Sequence, residues 1–110
     1  MNALTISHHD TATGPAVRVA GDLDYDRAPE LRRRVEEVPL AAGQCLTLEL
    51  SGLDFCDSSG ITALLAARQH ALAAGADVVL TGVPAHLMRV LTMVGLDRVF
   101  TLRPQAEAAS

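Results

Sequence analysis

Two short polar clusters hold the residues of this 110-residue chain that could take part in chemistry. The first is Gly21-Asp22-Leu23-Asp24 and the second is Cys56-Asp57-Ser58-Ser59-Gly60, and a predicted β-strand precedes each of them. In open α/β sheets, functional groups gather beyond the carboxyl ends of the parallel strands, so we expect both clusters at one rim of the sheet. Three carboxylates would then surround the accessible hydroxyl group of Ser58, which could receive a phosphate.

Ser58 stands where a helix is predicted to begin. We expect its hydroxyl group to be the N-cap, accepting from the free N–H groups of the first turn, with Asp57 as a favourable charge at the positive end of the helix dipole. Gly60 would allow another backbone to approach closely. A serine at a helix start is most often only a cap. The phosphate-accepting role therefore depends on the gathering of Asp22, Asp24 and Asp57 around it.

The elements that must position these clusters follow from the spacing of apolar residues. Apolar and polar residues alternate over 4–6 and 17–19, which predicts a hairpin of two strands. A helix is expected after a cap at Asp26, with Pro29 in its first turn, and should end before Pro39.

The remaining pattern alternates strands with helices. The predicted segments are a third strand over 46–50, a connection over 51–57, a second helix from Ser58 to Gly75, a fourth strand over 78–80, a third helix from Pro84 to Gly95 and a fifth strand over 99–102. The order β-β-α-β-α-β-α-β predicts a single α/β domain, with a mixed, mostly parallel five-stranded sheet and three main helices, over residues 1–103. The Ala-rich tail, 104–110, is expected to be frayed.

Composition excludes several classes of protein. The net charge is -4 and the only basic cluster, Arg32 to Arg34, lies among glutamates on a predicted helix, so we expect ion pairs there and no direct nucleic-acid binding. No apolar run approaches the length needed to span a membrane and no signal peptide is recognisable, so a cytoplasmic protein is expected. Cys45 and Cys56, read as small buried hydrophobes, and the four histidines have no metal-ligand spacing. Neither a metal nor a cofactor is therefore predicted.

Three stretches together resemble the anti-sigma factor antagonists of the STAS domain superfamily: Gly21 to Asp24, Leu53 to Ile61, and Leu91 to Leu96. The resemblance covers nearly the whole chain. In that family the serine directly after the aspartate accepts the phosphate, and this serine corresponds to Ser58, whereas Ser59 is a neighbour. The resemblance implies a partner-binding rim composed of Asp22, Asp24, Asp57, Ser58, Ser59, Gly60 and Ile61. The chain departs from the family at Cys56, often methionine, and at Ile61-Thr62, often leucine and glycine.

The resemblance also implies how such a bacterial protein works. The unphosphorylated form binds an anti-sigma factor with serine kinase activity and so releases a sigma factor. Phosphorylation at Ser58 abolishes that binding, and a phosphatase of the phosphorylated form restores it. The physical reason is that a phosphate adds roughly -1.5 to -2 charges to a rim that already carries Asp22, Asp24 and Asp57. Independently of the resemblance, we expect a monomer when the chain is alone, because its only strong interaction surface is a charged rim and not a large apolar patch.

Other functions fit less well or stay open. An enzyme with a nucleophilic serine is not expected, because the G-x-S-x-G elbow is absent and no histidine is placed as a base. A receiver domain phosphorylated on aspartate needs a lysine, and the chain has none. A STAS domain serving as the ligand-sensing or scaffolding subunit of a transporter or lipid-transport complex remains an alternative. Met88 and Met93 fit either a partner-binding surface or core packing.

Overall fold

A computed structural model describes residues 2–104. Its elements are β1 (Thr5–Thr11), β2 (Gly14–Leu23), α1 (Ala28–Glu37), β3 (Cys45–Cys56), α2 (Ser58–Ala73), β4 (Asp77–Thr81), α3 (Ala85–Met93), a 3-10 turn (Leu96–Arg98) and β5 (Thr101–Arg103). The strands lie in the sheet in chain order, with β1 antiparallel to β2 and every other neighbouring pair parallel. The predicted α/β class, element order and mixed five-stranded sheet are confirmed.

The three helices lie on one face of the sheet. Each crossover steps to the next strand in the same direction, and right-handed crossovers in one direction place all their helices on the same side. Alternation along β3 agrees with this arrangement, because Leu46, Leu48 and Leu50 are buried in the core whereas Thr47 and Glu49 are partly exposed. The helix starts therefore stand above the carboxyl ends of the parallel strands.

The third strand is much longer than predicted. β3 continues to Cys56, so the expectation that residues 51–57 form a connection was wrong for all but the last of them. It pairs with β2 as far as Leu23, and the register shifts twice along the pair. Such irregularities break the alternation of apolar and polar residues, which is why the sequence pattern ended at Leu50. The long pairing brings the end of β2 directly beside the end of β3.

Both predicted helix caps were wrong by one residue. The N-cap of α1 is Arg27, and it makes no side-chain capping bond, whereas Asp26 is exposed. Asp24 serves this end of the helix instead, because its Oδ1 accepts the N–H of Arg27 at 3.1 Å. The N-cap of α2 is Asp57, which leaves Ser58 as the first helical residue. A capping side chain can belong to any of several adjacent polar residues, and the sequence did not distinguish them.

The last strand begins later than predicted. Gly95 adopts φ 80° after α3, as expected of a helix stop, and the chain then forms the 3-10 turn before β5 begins at Thr101. Phe100, placed in the strand by the prediction, is instead buried just before it. The predicted frayed tail lies outside the described residues, except for Pro104.

None of the helices that the structure describes is both long and apolar enough to cross a membrane. Cys45 and Cys56 are free thiols. Both were predicted to be buried, and both are only partly buried.

Candidate functional site

The two polar clusters meet at one rim of the sheet, as predicted. Leu23 and Cys56 are paired at the ends of β2 and β3, and the N–H of Asp57 donates to the carbonyl oxygen of Leu23 at 3.3 Å. The loop that follows β2 therefore runs alongside the start of α2. Residues 22–24 and 57–61 form the two sides of this rim.

Asp57 joins the two sides of the rim. Its Oδ1 accepts the N–H of Gly60 at 3.0 Å, which caps α2, and its Oδ2 accepts the N–H of Tyr25 at 3.2 Å. Both carboxylate oxygens are thus bound to backbone donors. Asp57 fixes the position of the β2–α1 loop relative to the first turn of α2.

Because Asp57 is the N-cap of α2, the hydroxyl group of Ser58 does not cap the helix. Its side chain is exposed at the first position of α2, and its hydroxyl group makes no hydrogen bond to any residue between 2 and 104. The N–H groups of Ser58 and Ser59 belong to the first turn, which has no partners within the helix. The structure therefore presents a free hydroxyl group beside a carboxylate and at a positive helix end.

Gly60 allows a close approach within the domain itself. A β-carbon on Gly60 would lie 2.6 Å from the carbonyl oxygen of Leu23 and 2.7 Å from the sulfur of Cys56. The first turn of α2 therefore packs directly on the ends of β2 and β3. The neighbouring Ile61 is only 9% exposed and belongs to the core. Of the residues predicted for the rim, these two are the buried ones.

The other two predicted aspartates are bonded within the chain. Asp22 Oδ2 accepts the backbone N–H of Asn2 at 3.1 Å, and the N–H of Asp22 donates to the carbonyl oxygen of Asn2. Asp24 Oδ2 forms an ion pair with Arg27 Nη1 at 2.8 Å. Asp22 therefore holds the N-terminal segment against β2, and Asp24 stabilises the start of α1. Both negative charges stay at the rim.

Cys56 lies beneath this turn, and its thiol has a raised pKa. Burial, together with the negative charge of the adjacent Asp57, raises the pKa of its thiol to about 12 from an ordinary value of 9.0. A thiol with so high a pKa stays protonated at neutral pH and is a poor nucleophile. Ser58, by contrast, is exposed at the rim.

Two shallow depressions flank the first turn of α2. The α2–α3 depression, of about 380 Å³, is lined by Cys56, Asp57, Ser58, Ile61, Thr62, Val90 and Val94. The Tyr25 depression, of about 230 Å³, is lined by Tyr25, Ala28, Pro29, Arg32, Ser59 and Thr62. Beside them, Tyr25 is 76% exposed and Met93 is 82% exposed. Sequence reasoning considered Met93 as a surface residue but missed Tyr25, Arg32, Val90 and Val94.

The sequence carried one signal for these residues. Tyr25 directly follows the first polar cluster, where an aromatic residue has no predicted core to enter. The others lie on helices whose exposed faces become neighbours only after the chain has folded. Within residues 2–104, the His, Cys, Asp and Glu side chains form no group of three that could hold a metal ion.

Comparison with known proteins identifies the fold family. The family model described as "Mlab, STAS domain" matches residues 7–104. The Anti-sigma-B factor antagonist of Listeria monocytogenes is 25% identical over 85 residues, which cover 77% of this chain and 75% of that protein.

Several solved structures have a similar fold. An anti-sigma factor antagonist from Mycobacterium paratuberculosis has a TM-score of 0.72 at 24% identity, covering 97% of this chain and 89% of that one. The antagonist SpoIIAA in its unphosphorylated form has a TM-score of 0.76 at 18% identity, covering 97% and 91% of the two chains. The Bacillus SpoIIAA in its phosphorylated form has a TM-score of 0.71 at 18% identity, covering 97% and 95%. This chain belongs to the STAS domain family.

Proposed function

We propose that the chain is an anti-sigma factor antagonist, and that Ser58 is the residue whose phosphorylation switches it off. The unphosphorylated protein binds an anti-sigma factor with serine kinase activity, and a sigma factor is thereby released. The observation that carries the proposal is the exposed hydroxyl group of Ser58 at the first position of α2, next to the cap Asp57, with no hydrogen bond to it from residues 2–104. The names of the similar proteins, among them SpoIIAA in two phosphorylation states, support it.

The surface around Ser58 suits a protein partner. The α2–α3 depression is lined on its α3 side by Val90 and Val94, and Val94 is 59% exposed. Met93 protrudes beside it. Apolar side chains grouped on the surface of a soluble domain are typical of protein interaction sites. A kinase that reaches Ser58 would cover these side chains as it binds.

Phosphorylation would end binding through charge. A phosphate on Ser58 adds roughly -1.5 to -2 charges next to Asp57 and against the apolar α2–α3 depression. Burying that charge in an interface is costly, because none of the seven described residues that line the α2–α3 depression is a cation that could pair with it. Within the domain, the free N–H groups at the start of α2 accommodate an anion. The switch therefore acts on the interface and leaves the fold intact.

In this proposal the chain is the substrate of its partner and not itself an enzyme. It acts as a monomer in the bacterial cytoplasm, needs no cofactor, and is returned to the active form by a phosphatase. The rim residues that meet the partner are Asp22, Asp24, Asp57, Ser58, Ser59, Gly60 and Ile61, of which Gly60 and Ile61 contribute by setting the shape of the first turn.

The experiment uses each anti-sigma factor kinase encoded in the genome that carries this chain. Each purified kinase is incubated with the chain and ATP-Mg, and the product is mapped by peptide mass spectrometry. We expect one kinase to add one phosphate, at Ser58, in the parent and in Ser59→Ala but not in Ser58→Ala. Phosphate on Ser59 or Thr62 with Ser58 unmodified would refute the site. Stable binding to a transporter subunit, with no kinase acting, would favour the scaffolding alternative.

A further inference from the structure

The arginines of α1 are not equivalent. The sequence suggested that the Arg32 to Arg34 cluster is an ion-paired, solvated face. Two of its members do have partners within the domain: Glu30 and Glu37 for Arg33, and the carbonyl oxygen of Ile6 for Arg34. Arg32 is exposed and forms neither an ion pair nor a hydrogen bond with any part of the chain that the structure describes. Its guanidinium group is available to another molecule.

Arg32 lies beside an aromatic side chain that is held in place from its backbone. Both Arg32 and Tyr25 line the Tyr25 depression, where Arg32 is the one charged residue among the six. The Tyr25 ring is largely exposed, yet its N–H is fixed by Asp57 Oδ2. An exposed aromatic residue on a fixed backbone loses little conformational freedom on binding, which favours it as an interface anchor.

The Tyr25 depression is continuous with the phosphorylation site. Ser59 and Thr62 form one of its walls, and Thr62 also lines the α2–α3 depression. Ser58 and Thr62 are one helical turn apart, which is about 5–6 Å along α2. Tyr25 and Arg32 therefore lie next to the surface that the proposed kinase must cover to reach Ser58.

We propose that Tyr25 and Arg32 form a recognition contact for the anti-sigma factor, which takes a carboxylate side chain of the partner on Arg32 and an adjacent apolar group on the Tyr25 ring. This contact helps to determine which kinase the chain binds. The inference rests on the proposed function and adds a partner-selecting element to it. Arginine often pairs with a carboxylate through two parallel N–H···O bonds, and tyrosine and arginine are, with tryptophan, enriched at the energetic centres of interfaces.

The dimensions of the Tyr25 depression favour a protein side chain over a small molecule. Its volume of about 230 Å³ is below the range of roughly 300–1,000 Å³ typical of small-molecule pockets. A single cation in an open hollow also lacks the several converging groups that hold a free metabolite. A carboxylate presented by a partner is already oriented by the surrounding interface.

The test compares Arg32→Glu and Tyr25→Ala with the matched control Arg33→Glu. Arg33→Glu makes the same change of charge on the next residue of the same helix, outside the Tyr25 depression. The probe is the purified kinase that phosphorylates the parent at Ser58, and calorimetry measures its affinity for each variant. We expect Arg32→Glu and Tyr25→Ala each to weaken binding by about tenfold or more, and Arg33→Glu by less than about threefold.

Charge reversal on the kinase completes the test. Single Asp and Glu residues on its surface are changed to Arg, and one such variant should restore binding to Arg32→Glu while weakening binding to the parent. Thermal unfolding of each variant confirms that it is folded. If Ser58 is phosphorylated but both variants bind like Arg33→Glu, the Tyr25–Arg32 contact is wrong and the proposed function stands. If no kinase binds the parent, both proposals are overturned.

Discussion

The carboxylate of Asp57 accepts the backbone N–H of Tyr25 at 3.2 Å, 32 positions earlier in the chain. The same carboxylate caps α2 through Gly60. One side chain therefore sets the helix that carries Ser58 and the loop that carries the exposed aromatic ring. Ser58 and Tyr25 are positioned together because Asp57 holds both segments.

Asp57→Ala removes both of these hydrogen bonds. We expect it to lower the free energy of unfolding by about 1–2 kcal/mol, since an N-cap is worth about 1 kcal/mol and the loop contact adds to it. Asp57→Asn should lose less, because its oxygen can still accept from Gly60. Urea unfolding measures both. Asp26→Ala is the control, and its change should stay within about 0.5 kcal/mol because Asp26 is exposed and does not cap α1. An equal loss at Asp26 would contradict the assignment of caps.

Ser58 variants separate binding from folding. Ser58→Ala should change stability by less than about 0.5 kcal/mol, because Ser58 is not the cap, and should bind the kinase without being switched off. Ser58→Asp adds a charge at the first helical position, where the dipole accepts it, so its stability should stay within roughly 1 kcal/mol of the parent. Its affinity for the kinase should nevertheless fall sharply. Thermal unfolding and calorimetry on the same samples decide the matter. Undiminished binding by a folded Ser58→Asp would refute the interface mechanism.

Much of the fold was accessible from sequence because its signals are local. Alternation in β2 and the first half of β3, the buried run in β4, and Gly95 after α3 each identify an element without reference to the rest of the chain. The second half of β3 was not accessible. It is a strand because β2 lies beside it with shifted register, and this pairing is a long-range property.

The candidate site, like the fold, was predicted only in part from the sequence. Clustering of Asp22, Asp24, Asp57 and Ser58 at one rim follows from topology, which the sequence predicts. Which of these side chains caps α2 does not follow from topology, because it depends on distances of a few tenths of an ångström. Whether Asp57 or Ser58 caps α2 was therefore settled only by the three-dimensional arrangement.

Gly60→Ala should strain the contact between α2 and the end of β2. The new β-carbon meets the backbone carbonyl of Leu23 at 2.6 Å, and a backbone atom cannot rotate away as a side chain can. We expect a loss of about 1–3 kcal/mol, although alanine is otherwise the better helix former. Urea unfolding measures it, with Ser59→Ala on the preceding residue as the control. A stabilised Gly60→Ala would show that the first turn of α2 is not packed in this way.

Cys56 makes stability depend on pH in the alkaline range. Its pKa in the folded protein, about 12, lies above the ordinary value of 9.0, so between these values the folded state keeps a proton that the unfolded state has lost. The stability conferred by the neutral thiol is complete below pH 9 and is lost as the pH rises toward 12. Urea unfolding of the parent should therefore show a steeper loss of stability from pH 8 to 10 than that of Cys56→Ala. Parallel curves would contradict the raised pKa.

Met93 tests whether the partner covers the α2–α3 side of Ser58. Its side chain is 82% exposed, so Met93→Asp should leave the fold within about 0.5 kcal/mol of the parent. At an apolar interface the new carboxylate would be buried without a partner, so the affinity for the kinase should fall by about tenfold or more. The control is Leu72→Asp, which introduces the same charge at another exposed apolar residue, 43% accessible and near the far end of α2. We expect it to bind within about threefold of the parent. If the two variants lose affinity equally, overall charge rather than contact at Met93 governs binding, and the docking surface must be placed elsewhere.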